Sequence, residues 1–381
     1  MKMQFPKHWL VSAIVLTFAA TATTAMADQI VKIGSAEPLT GGSAHLGKDN
    51  ENGARLAIEE INAHGLRIAG QRIHLVLDAQ DDAADPRTAT QVAQKLVDNK
   101  VVAVVGHMNS GASIPASKIY HSAGIVQISP SSTNPAYTRQ GFNTTYRVVA
   151  TDAQQGPALA SYAARALKIR SVAVVDDSTA YGQGLANEFE KTARAHGVKV
   201  LSHDATTDKA VDFRAILTKI KAENPDAIMY GGMDATGGPM AKQARQLGLR
   251  AKFLSGDGVC TTGLQKLAGN ATDNVVCSQA GASVEKMAGG AAFAAKYRKR
   301  FGHDIEFDAP FTYDAVYIIV DAMKRANSTS PAKILAKMPS TNYRGVLGET
   351  TFDAHGDLRH GVISIYNYRG GRKTLLDTVR M

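Results

Sequence analysis

Two cysteines, Cys260 and Cys277, serve all 381 residues, and aromatic side chains make up only 6%. Beyond residue 27 no apolar run approaches the roughly 20 residues that a transmembrane helix needs. Two cysteines exclude a disulfide-rich scaffold and a cysteine-based metal cluster, and the histidines lie scattered, with no His-Glu-x-x-His pattern. Scarce aromatics and the lack of a basic-aromatic cluster remove the parts of an RNA-stacking surface, so no nucleic-acid partner is expected. "KYRKRF" at 296–301 reads as the solvated side of a helix. The Gly-x-Ser-x-Gly nucleophile elbow is missing too, because Met108 stands two residues before Ser110. Nothing in the chain calls for a cofactor.

What is present begins with an address. Lys2 and Lys7 precede the apolar stretch "WLVSAIVLTFAA", and "AMA" at 25–27 has the small-x-small pattern of a signal-peptidase site. Cleavage after Ala27 is expected, with no cysteine nearby for a lipid anchor, giving a mature protein exported to the periplasm. The formal charge of +9 becomes +7 when Lys2 and Lys7 leave, and solubility accounts for it. Export makes a Cys260–Cys277 disulfide the expected arrangement, against two separately buried thiols.

The remaining chain suits two domains. "QIVKIGSA", "QRIHLVLDAQD", "KVVAVVG" and "IVQISP" read as strands alternating with the helical patterns "ENGARLAIEEINAHG", "DPRTATQVAQKLVDN" and "SIPASKIYHSAG". Asp85 stands as an N-cap with Pro86 at the first helical position. The rhythm restarts at 152 with "DAQQGPALASYAARALK", "SVAVVDD", "YGQGLANEFEKTARAHG", "DAIMYGG" and "AKFLSGDG". Repeated β-α units predict an α/β fold of two doubly wound parallel-sheet lobes. "FTYDAVYIIVDAMKRA" and "VISIYNYRG" return the chain to each lobe in turn. Residues 28–150 and 281–360 are assigned to lobe 1, and 151–280 and 361–381 to lobe 2, joined by several short crossovers acting as a hinge.

Open α/β sheets bind ligands beyond the carboxyl ends of their strands. Four such places stand out. "GHMNSGAS" puts Ser110 near a helix start, where free N–H groups and the helix dipole favour an anion. "SPSSTNP" adds Ser131 and Thr133, so that three hydroxyls converge as donors for a carboxylate. "STAYGQGL" places Tyr181 at a helix start, and "LSGDGVC" places Asp257 between two glycines. Each alone also reads as ordinary capping and turn chemistry. "GQGLAN" is not a dinucleotide loop, since Asn187 fills its third glycine position.

"GHMNSGASIPASKIY", "QISPSSTNPAYT", "TDAQQGP", "YGQGLA", "MYGG" and "GDGV", in that order, and "TFDAHGDLRHGVISIY" near the end, resemble the periplasmic leucine/isoleucine/valine-binding proteins, the type I solute-binding components of ABC amino-acid importers. The resemblance implies the type I periplasmic binding fold and a monomer that holds an amino acid, aliphatic or branched, between its lobes for an inner-membrane permease. By position it implies that Ser110 and Thr133 bind the α-carboxylate with help from the Ser131 backbone. Tyr181 lines the second lobe and Asp257 pairs with the α-ammonium. Leu46 and Met233 stand where some relatives carry aromatics, and Met108 and the segment around Phe311 complete the side-chain pocket. Other readings are an amide, urea or an aromatic acid as ligand, presentation of ligand to a sensory receptor (no membrane segment follows Met381), and an exported hydrolase, which lacks a nucleophile or metal motif.

Overall fold

The computed structural model describes residues 1–4 and 28–381; the expected signal segment and its cleavage site lie outside the described residues. The first half runs β1 (Gln29–Glu37), α1 (Ala44–His64), β2 (Leu66–Ile68), β3 (Gln71–Asp81), α2 (Pro86–Asp98), β4 (Ala103–Gly106), α3 (Ser110–Ser122), β5 (Val126–Ser129) and β6 (Thr145–Arg147). Next come α4 (Asp152–Arg165), β7 (Ser171–Asp176), α5 (Ala180–Ala195), β8 (Lys199–Ala205), α6 (Arg214–Glu223), β9 (Ala227–Gly231), α7 (Asp234–Gln246), β10 (Lys252–Ser255), α8 (Leu264–Ala268) and β11 (Val275–Gln279). The last part holds α9 (Gly290–Phe301), α10 (Ala309–Ala326), α11 (Pro331–Leu335), the hairpin β12 (Asn342–Gly345) and β13 (Gly348–Thr351), β14 (Val362–Arg369) and β15 (Arg372–Arg380).

Two large sheets result, ordered β2-β3-β1-β4-β5-β6 and β15-β14-β11-β10-β9-β7-β8. Both are parallel except at one edge, where β2 runs against β3 and β14 against β11 and β15. β4, β5, β9 and β11 are buried along their whole length, as strands covered by helices on both faces must be. The first sheet reverses its strand order at β1/β4 and the second at β7/β9, so the loops that follow these strands open into crevices. The chain passes between the sheets after β6, after β11 and before β14. The first two passages run side by side, with the Ala150 N–H donating to Ala280 O at 3.0 Å.

Asp85 caps α2 by accepting from the N–H groups of Arg87 and Thr88, with Pro86 in the first turn. α1 begins seven residues before the stretch read as helical, because a buried polar run, 49–52, interrupts any apolar period there. Asp49, Asn50, Glu51 and Asn52 are all under 5% exposed, so no apolar period marks them. α10 crosses α1 so closely that a Cβ on Gly53 would stand 2.3 Å from Ala309 O. In the basic run, Arg298 and Arg300 are solvated and pair with Asp304 and Glu59, whereas Tyr297 is buried and donates to Asp49 at 2.9 Å.

Cys260 and Cys277 are joined by a disulfide that ties the loop after β10 to the middle of β11, closing a loop of 17 residues. Restricting a loop of that length in the unfolded chain contributes about 3 kcal/mol. Reduction, or the Cys260→Ser/Cys277→Ser pair, is expected to lower unfolding free energy by about that amount, measurable by urea titration with and without reductant.

Candidate functional site

The loops after β4 and β5 meet those after β9 and β10, the start of α5 and the approach to α10 around a narrow cleft. Leu46, Met108, Ser110, Ser131, Tyr181, Met233 and Asp257 all line it. Thr133 is fully buried, off the wall, and its Oγ1 has no partner among the described residues. Ser110 opens α3, and its Oγ accepts from the Asn134 N–H at 3.2 Å, leaving the hydroxyl hydrogen free to donate.

Ser131 departs from expectation. Its hydroxyl donates to Asp308 Oδ2 at 2.8 Å and its N–H turns toward Ser129 Oγ at 3.3 Å, so neither donor points at an anion. Phe311 likewise lies behind the wall, its ring tilted against that of Phe307 at 5.2 Å, and Phe307 is the residue that reaches the cavity. α10 starts only at Ala309, so the bend at 307–308 turns into the cleft while the first helical turn packs inward. Sequence reasoning also missed Asn109, Thr261 and Gln279 on the wall. Their polar character beside the picked motifs was the available signal.

On the second lobe the Tyr181 hydroxyl donates to Asp257 Oδ1 at 3.1 Å and accepts from the Gly258 N–H at 3.0 Å. Burial pushes the Asp257 carboxyl up to about 6. Asp152, at the start of α4, is fully buried with its carboxyl beside the Thr133 hydroxyl, and its N–H donates to Thr133 O at 2.8 Å. Burial pushes that carboxyl up to about 8. The cleft therefore presents the free hydroxyl hydrogen of Ser110 on one lobe and the shielded Asp257 on the other, with Leu46, Met108, Met233 and Phe307 as its apolar surface.

The lobes touch across this cleft. His45 Nε2 meets Asp234 Oδ2 at 3.0 Å, Thr261 Oγ1 donates to the same oxygen at 2.7 Å, and Asn134 Nδ2 donates to Ala180 O at 2.5 Å. Asp234 is fully buried, and its hydrogen bond holds the His45 imidazole above its ordinary value of 6.5. A pair that joins the lobes favours the closed state, and its ionic part is complete below pH 6.5 and fades as pH rises through the raised value. His45→Ala is expected to weaken ligand binding about three- to tenfold at pH 6, within the range of a partly exposed charged hydrogen bond. That deficit should shrink by pH 9, as calorimetry at both values would show.

Among the described residues no cluster of three or more His, Cys, Asp or Glu has metal-site geometry, and no helix is long and apolar enough to cross a membrane. Two α/β lobes closed on a small polar cleft define a hinged solute-binding protein. The model for periplasmic binding proteins matches residues 30–369, and the chain belongs to that family. It is 37% identical over 349 residues to an amino acid binding protein of Pseudomonas aeruginosa, covering 91% of this chain and 92% of that one. It is 34% identical over 360 residues, 94% of both chains, to Leu/Ile/Val-binding protein homolog 1 of Brucella abortus. The branched-chain amino acid transporter substrate-binding protein LivJ of Streptococcus pneumoniae, solved with isoleucine, superposes with a TM-score of 0.81 at 27% identity over 93% of this chain and 100% of that one.

Proposed function

We propose that the protein is exported to the periplasm, captures an α-amino acid between its lobes and delivers it to an ABC importer. The carrying observation is the opposition of Ser110, at the start of α3, to Asp257 across one closed cleft. Ser110 and the N–H groups at the first turn of α3 take the carboxylate, with the Thr133 hydroxyl behind them. Asp257, oriented by Tyr181, takes the ammonium, and Leu46, Met108, Met233 and Phe307 pack against an aliphatic side chain. Binding engages lobe 2 only in the closed state, so ligand shifts the hinge toward closure and the permease reads that shape. No step of this cycle requires chemistry on the ligand.

A thermal-shift screen of the mature protein, unfolded and refolded to remove carried-over ligand, tests this against the twenty amino acids, γ-aminobutyrate, amides, urea and aromatic acids. A ligand at 100 times its Kd adds about 2.7 kcal/mol. Shifts with amino acids support the reading, and shifts confined to compounds without an ammonium overturn it.

Proton competition gives an independent check. Asp257 must be ionised to hold an ammonium, and its carboxyl lies near 6 rather than 3.8. Affinity is therefore expected to be flat above pH 7 and to fall below 6, approaching tenfold per pH unit. Without ligand the sign reverses: a raised carboxyl binds protons more tightly in the folded state, so this group's contribution to stability falls as pH rises from 4 to 6. Asp177 and Asp314 are raised to about 6 as well, so the affinity slope and its loss in Asp257→Asn, rather than apo-protein stability, identify the group.

A further inference from the structure

The cleft wall carries two carboxylates on opposite sides, Asp257 from the loop after β10 and Asp308 from the approach to α10. Among the described residues, no Lys, Arg or His shares that wall. Asp308 stands at the N-cap of α10 but makes no side-chain capping bond. Asp49 of α1 does that work instead, accepting from the N–H groups of Glu306, Phe307 and Ala309 at 3.2, 3.1 and 2.9 Å. Relieved of capping, Asp308 turns to Ser131, which holds its Oδ2 at 2.8 Å. Asn50 fixes Ser131 in turn, donating to its Oγ at 3.1 Å and to Glu37 Oε2 at 3.0 Å. Asp308 Oδ1 has no partner among the described residues. An aspartate at a helix start that neither caps nor pairs with a cation, yet is held in one orientation by a buried chain of hydrogen bonds, is placed for something that enters the cleft.

We propose that Asp308 is a second acceptor for the ligand's ammonium, so that the cation is held across the cleft between Asp308 on one lobe and Asp257 on the other. The inference rests on the amino-acid reading above. An ammonium offers three N–H donors and one positive charge, enough to serve both carboxylates. Closing two carboxylates on each other without it is costly, because like charges repel strongly where water is excluded. Closure then requires a cation, and a carboxylic acid without an amino group brings a third negative charge instead. Burial already pushes the Asp308 carboxyl upward, with the Asp257 charge adding to it. Lys373, the nearby cation, is anchored elsewhere on Cys260 O at 3.1 Å.

The test is calorimetry of the full mature chain and its Asp308→Asn variant at pH 7.5, with the twenty amino acids and with 4-methylpentanoate, which is leucine without its amino group. Asp308→Asn is expected to weaken every amino acid that binds by a common tenfold to hundredfold, and to narrow the gap between leucine and 4-methylpentanoate. Ser131→Ala, which frees Asp308 to swing, is expected to do the same about threefold, and it stands in if the first variant fails to fold. Unchanged amino-acid affinity overturns the inference alone. So does a loss confined to ligands with a basic or polar side chain, which would assign Asp308 to the side-chain pocket. If no amino acid binds the parent protein, the amino-acid reading fails and this inference with it.

Discussion

Asp257→Ala is expected to abolish amino-acid binding at micromolar ligand while leaving the fold intact. The carboxylate accepts from Tyr181 and faces the cleft, shielded enough that burial raises it to about 6. With a ligand in place its partner would be an ammonium in a closed site. Removing one member of a shielded ion pair leaves the other uncompensated and costs about 3–5 kcal/mol, two to three and a half powers of ten in Kd. Asp257→Asn, which keeps shape but not charge, should recover little. Tyr181→Phe should cost far less, since it removes an orienting hydroxyl and leaves the charge. The apo variant, by contrast, should melt at or above the parent's temperature near neutral pH, because a buried acid without its cation destabilises the empty protein. Calorimetry and a thermal melt of the same sample separate these effects. Undiminished amino-acid binding would remove Asp257 from the site.

Arg147→Ala is expected to produce the largest loss of stability, and to take the binding loop with it. The side chain is completely buried at the end of β6. Its Nε donates to Asp357 at 2.7 Å, and its terminal nitrogens donate to Ser132 O at 2.6 Å, Asn134 O at 3.0 Å and Thr138 Oγ1 at 2.9 Å. The guanidinium thus holds the backbone on both sides of Thr133 and ties it to the segment between β13 and β14. Asp357 comes within reach because Gly356 precedes it at φ 89°, where a Cβ would stand 2.0 Å from Thr145 O. Deleting the arginine leaves Asp357 with only Arg139 and Thr138 as partners and strips Ser132 O of its donor, a loss of about 3 kcal/mol. Adding Asp357→Asn should return part of it, as a coupled pair requires. Urea titration of the two single variants and the double variant measures that coupling. Additive effects would mean that the pair does not act as a unit.

These two residues mark the limits of what the chain announces. Asp257 was legible: it follows an apolar strand run, lies between glycines, and sits where parallel sheets expose their loop ends. Arg147 was not, because "NTTYRVVA" reads as strand and turn, and an arginine there looks solvated until the fold buries it. Asp49 and Asn50 escaped in the same way. They are polar residues at a helix start, yet they are buried because α10, more than 250 residues later, crosses over them. Asp308 lay three residues from the segment around Phe311 read as pocket, and only the register of α10 decided which side chain reached the cleft.

By itself the sequence determined the alternation of strand and helix, hence two parallel-sheet lobes, and the strand-end loops where a ligand would lie. Those features are local: a hydrophobic period, a cap or a glycine is written within a few neighbouring residues. Only the tertiary structure decided that Ser131 spends its hydroxyl on Asp308, that Arg147 holds the Ser132 carbonyl, and that His45 meets Asp234 across the cleft. Each of those pairings joins residues 15 to 189 positions apart, and partners at such separations are chosen by packing and by the need to satisfy buried polar groups, which no local pattern encodes.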